Sequence, residues 1–133
     1  MRILRAAIAY WAVVFALGFV LGTLRVLLLS PLIGLVPATL IELPVMVAAS
    51  WCASGCLVRR FGITGEGAAL AMGGLAFALL MAAECAIAAG MMEQRPAQWL
   101  AGLRQPHALL GLAGQVLFAV MPWLRVRQVA ISA

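Results

Sequence analysis

Four apolar runs, each long enough to cross a bilayer as a helix, fill most of this 133-residue chain and leave it few possible folds. They cover about residues 6–29, 38–58, 67–92 and 106–124. At 1.5 Å per residue the first is roughly 36 Å long, more than the hydrocarbon core it would have to span. A chain that is 66% hydrophobic and 10% charged cannot cover its own surface with polar groups, so a lipid-facing exterior is the physical solution. In lipid, each backbone N–H and C=O has to be satisfied within the segment, which selects helices. The expectation is an all-α integral membrane bundle of four transmembrane helices with short loops, forming a single domain over residues 1–133.

The N-terminus begins like a secretory signal, with Arg2 and Arg5 ahead of an apolar run. That run continues from Ala6 to Leu24, beyond a signal core of about 7–15 residues, and no polar, small-residue cleavage region follows. It reads as a retained first span, with Tyr10 and Trp11 as interface anchors. Gly18 and Gly22 form a Gly-x-x-x-Gly pair that permits close approach of another helix.

Pro31, Gly34 and Pro37 predict a turn over 30–37, unusually apolar for a loop. Pro44 predicts a kink early in the second span, and Arg59 and Arg60 end it. Glu66 precedes the third span, where a carboxylate favours the helix dipole. Along that span Ala71, Gly74, Ala78, Ala82 and Ala86 run down one side, a row expected to pack closely on a neighbouring helix. The segment 93–106 is the most polar loop, and Trp99, Leu100 and Leu103 predict a short turn lying at the interface. Pro106 suits a helix start, and Pro122 with Trp123 is expected to close the fourth span.

The nine basic residues are all arginine. Arg2, Arg5, Arg59, Arg60, Arg125 and Arg127 fall on one side of the expected topology, and Arg25, Arg95 and Arg104 on the other. The excess places both termini in the cytoplasm of a bacterial inner membrane. Arginines so dispersed at segment ends make no nucleic-acid face. Cys52 and Cys56 are four apart, without the C-x-x-C spacing of a redox pair, and no His or Cys group completes a metal shell. All three cysteines, Cys85 included, read as buried small hydrophobes. No metal or other cofactor is expected.

Five polar side chains remain inside the apolar runs or at their outer ends: Arg25, Glu42, Glu84, His107 and Gln115. Arg25 lies about 29 Å along the first span and Glu84 about 25 Å up the third. Glu42 is a turn into the second span, and His107 and Gln115 open the fourth, so every span delivers a polar group to the outer half. A charge within a bilayer turns inward and finds a partner. Arg25 and Glu42, flanking one turn, are natural partners, and either a structural ion pair or a functional site accounts for them. Glu84 lacks an obvious cation unless Arg25 bridges both carboxylates. It is either a carboxyl hydrogen-bonded between helices or a proton or cation site. His107, after a proline at a helix start, caps the interface or joins that site. No nucleophile–base arrangement and no phosphate loop is present in the sequence, and no enzyme activity is expected.

Gly22-Thr23-Leu24-Arg25-Val26-Leu27, Pro31, Gly34 and Glu42-Leu43-Pro44-Val45-Met46, with Arg59-Arg60 beyond, resemble a pattern in small bacterial membrane proteins of no assigned activity. The resemblance covers the first half of the chain and implies a four-helix membrane protein without bringing a substrate. Small multidrug resistance transporters are of similar size but carry a glutamate in span 1, where this chain has Arg25. Quinone-linked disulfide oxidases need paired outer-face cysteines, which are missing. The leading expectation is a structural or accessory protein that associates with itself or with a larger membrane complex. The alternative is proton-coupled transport of a small molecule or ion through the intramembrane carboxylates.

Overall fold

The computed structural model describes residues 1–91, 93 and 95–132, and the side chains of all of these except Met91, His107 and Ser132. Its first helix, α1 (Arg2–Leu24), does not end near the proline and glycines expected to break it. It continues through a π-helical turn (Arg25–Leu29) into α2 (Ser30–Ile33), giving one apolar helix over Arg2–Ile33. Pro31 explains the wider turn. It has no N–H for the carbonyl of Leu27, and its ring would crowd that oxygen. The Ser30 N–H bonds instead to the Arg25 carbonyl five residues back, letting an extra residue into the turn just ahead of the proline. The turn expected over 30–37 thus narrows to Gly34, whose φ of 90° suits a residue without Cβ.

The next helix, α3 (Leu35–Arg60), keeps Pro44 in its interior. Then follow α4 (Glu66–Met91), the short α5 (Pro96–Gly102) and α6 (Pro106–Ser132). The expected end of the third span at Met92 lies outside the described residues. The fourth span does not close at Pro122; α6 runs through that proline to Ser132. Four helices are long and apolar enough to cross a membrane, and the fold is an all-α bundle. α1 packs against α3 and α4, and α6 against the same two, so the order around the bundle is α1, α3, α6, α4. The turn 61–65 therefore crosses the diagonal. α5, in the loop expected to lie at the interface, rests on α4 with Trp99 half-buried and Leu100 exposed.

The core lies toward the end that carries the termini. Ala6, Ala7, Tyr10, Val14, Val58, Met72, Ala76 and Phe118 are buried there. Tyr10 is 0% exposed, which corrects its reading as an interface anchor. Its ring stacks on Phe118 at 4.3 Å between centroids, and its hydroxyl donates to the Phe118 carbonyl at 2.7 Å. Pro122, four residues on, cannot supply an N–H to that oxygen. Tyr10 therefore satisfies the acceptor that Pro122 orphans, and α6 passes through its proline unbroken. Close by, Gly73 brings the α4 backbone onto α6; a Cβ there would collide with the Ala119 carbonyl oxygen.

The small-residue row of α4 does not make that contact. Ala71, Gly74, Ala78, Ala82 and Ala86 are all exposed, and the packed face is Ala69, Met72, Gly73, Ala76 and Leu80. Cys52 and Cys56 are also exposed, contrary to the expectation of burial, while Cys85 is half-buried. Arg125 also packs against the bundle. Its guanidinium lies 4.5 Å over the Trp51 ring and fills the space left by Gly55. Glu66 opens α4 as expected, and it also accepts the Trp123 indole N–H at 2.9 Å.

Candidate functional site

Past Tyr10 and Phe118 the spans part around a cavity of about 580 Å³, lined from α1, α3, α4 and α6. Gly18 and Gly22 of α1 border it, as do Gly111 and Gly114 of α6. The Gly-x-x-x-Gly pair thus faces the interior of the bundle, where Gly18 approaches the Met46 side chain. Most of the lining is apolar, including Phe15, Phe19, Leu80 and Phe118.

Arg25, Glu42, Glu84 and Gln115 all line this cavity. Arg25 starts the π-helical turn, and its Nη1 donates to Glu42 Oε2 at 2.7 Å across the α1–α3 hairpin. Both are largely covered, at 28% and 12% side-chain exposure. The bond uses one of the five donors of the guanidinium, and Arg25 Nε is buried without a hydrogen-bond partner.

Glu84 takes a different partner. Gln115 of α6 donates from Nε2 to Glu84 Oε1, so a neutral amide holds this carboxyl. No described residue forms an ion pair with Glu84, and bridging of both carboxylates by Arg25 does not occur. Each wall of the cavity therefore carries its own polar pair, an ion pair on α1–α3 and a carboxyl–amide pair on α4–α6. The backbone of His107 belongs to the first turn of α6, and its side chain lies outside the described residues.

Several participants escaped the sequence reading. Thr39 and Ser50 are buried and line the cavity, but neither stands out among apolar neighbours. Thr39 donates to the Leu35 carbonyl at 2.7 Å, back within its own helix. The Tyr10–Phe118 bond could have been suspected from Pro122, because an interior proline always orphans the carbonyl four residues before it. Gly111 and Gln115 were legible as one helical face continuing from His107, and Gly114 carried the same signal three residues after Gly111.

This geometry defines a multi-pass membrane protein with a mostly apolar cavity between its spans that holds two polar pairs. No protein-family model matches the chain, and no curated protein or solved structure is detectably similar to it. Among the described residues no group of three His, Cys, Asp or Glu side chains is placed to hold a metal ion.

Proposed function

We propose that the protein binds a small molecule in the cavity and exchanges it for a proton on Glu84, as a proton-coupled transporter of a bacterial inner membrane with both termini cytoplasmic. The observation that carries this reading is the unequal treatment of two carboxylates on one cavity. Glu42 has a cation at 2.7 Å, whereas Glu84 is held by the amide of Gln115 and forms no ion pair among the described residues. An uncompensated charge within a bilayer is costly, so Glu84 is stable either protonated or beside an occupant that replaces the proton. A volume of about 580 Å³ is within the range of pockets that take drug-sized molecules. The chain acts here as binder and carrier, without bond-making chemistry.

The test is proton flux in liposomes containing the purified protein, followed with an internal pH dye while candidate small molecules are added outside. Glu84→Gln should abolish substrate-dependent flux while circular dichroism and thermal unfolding stay unchanged. Equal flux in the wild type and a folded Glu84→Gln variant would reject the proposal.

A second reading is favoured by the exposed row on α4. Gly67 and Gly74 have open space where a Cβ would stand, and Ala71, Ala78, Ala82 and Ala86 continue the face. Small residues let helix backbones approach closely in lipid, which fits association with a second copy or with a larger membrane complex. Under this reading Gly74→Leu breaks the assembly seen by light scattering in detergent, and a wild-type protein that is monomeric and co-purifies with nothing rules it out.

A further inference from the structure

The charge pattern of the cavity also specifies its occupant: we infer that the site takes an amphipathic organic monocation. This inference rests on the exchange of ligand for proton at Glu84 proposed above.

Among the described residues lining the cavity, the formal charges are one guanidinium, Arg25, and two carboxylates, Glu42 and Glu84. Arg25 and Glu42 cancel at 2.7 Å. What is left is the charge of Glu84, and a single positive charge is its match. An anionic occupant would place a third negative group beside one guanidinium that already has a partner. A neutral occupant would leave an ionised Glu84 uncompensated in an apolar setting.

The apolar lining supplies an independent argument. Phe15 and Phe19 of α1 and Phe118 of α6 border the same space as Glu84. Aromatic faces attract cations, and the attraction grows when the cation is desolvated. Phe19 and Leu27 line the cavity yet are 51% and 67% exposed, so the space opens toward the apolar exterior of the bundle. A molecule that partitions into the bilayer reaches it sideways from lipid, with its charge meeting Glu84 and its apolar body meeting the rings.

Two ions of nearly the same shape and opposite charge separate this inference from its rivals. Tetraphenylphosphonium and tetraphenylborate binding is measured by calorimetry on the full chain in nanodiscs, with empty nanodiscs as the reference. Tetraphenylphosphonium should bind and release protons, and tetraphenylborate should not bind. Glu84→Gln should weaken cation binding by about tenfold or more, and Glu84→Asp, which keeps the charge, should restore much of it. Tetraphenylborate binding as tightly as the cation, with proton uptake that Glu84→Gln removes, overturns the cation assignment but leaves Glu84 as the exchange site. Cation binding unchanged in Glu84→Gln, or absent in the wild type, overturns the assignment. If wild-type proton flux also survives Glu84→Gln, the exchange reading falls with it.

Discussion

At the end of the bundle that carries the termini, Gly73 brings the α4 backbone onto α6 and Tyr10 fills the centre against Phe118. Toward the opposite end Gly18, Gly22, Gly111 and Gly114 border a cavity of about 580 Å³. Glycine closes the α4–α6 pair in the first region; in the second, Gly111 leaves open space while Gly114 admits the Leu43 side chain. In the packed half Tyr10 saturates a carbonyl that would otherwise be orphaned by Pro122. The contrast teaches that a membrane bundle can place its stability in one half of its length and its binding capacity in the other. A closely packed half holds the helices, and a half that contains a cavity has room for a ligand.

Substitutions at the two ends should therefore separate, and the largest effect belongs to the packed end. Gly73→Val should cost about 3 kcal/mol or prevent assembly, because the new side chain meets backbone that cannot rotate away. Denaturation in mixed micelles reads this directly, and wild-type stability in this variant would break the comparison. Tyr10→Phe should cost about 1–3 kcal/mol while preserving the stacked ring, since it strands the Phe118 carbonyl. Tyr10→Phe in a Pro122→Ala background should cost less, because the alanine N–H restores the helical bond; equal costs in both backgrounds would show that the proline is irrelevant.

Smaller effects are expected around the cavity. Glu42→Gln should cost about 1–2 kcal/mol by leaving Arg25 partly covered and unpaired, and Arg25→Met with Glu42→Met should recover most of it. A double-mutant cycle with no coupling would remove the ion pair as a structural element. Gly111→Leu should change stability by less than about 1 kcal/mol, because a Cβ there has open space. It should nevertheless abolish ligand binding by filling the site. Loss of stability without loss of binding would show that this region is packed core after all.

Much of the architecture was legible before any coordinates. The lengths of the apolar runs determined four spans, because a bilayer allows little else for such segments. Arg25 and Glu42 could be paired because they are 17 residues apart across one hairpin, and neighbours in sequence across a tight turn are neighbours in space. Glu84 and Gln115 were both recognisable as polar groups within apolar runs. Their pairing, 31 residues apart, depends on α4 and α6 packing side by side.

What the sequence by itself determined, then, was the number of long apolar helices and the Arg25–Glu42 pair. Tertiary structure alone decided which helices adjoin, which faces point inward, and that Glu84 meets an amide in place of a cation. The row from Ala71 to Ala86 shows the physical reason. In water, polarity marks the outer face of a helix, but lipid tails and a protein interior are both apolar. An alanine stripe reads the same whether it packs on a neighbour or faces the bilayer. Tyr10 shows the converse: its hydroxyl marked it as an interface residue, until a proline 112 positions away in the chain left a carbonyl at the centre of the bundle for it to reach.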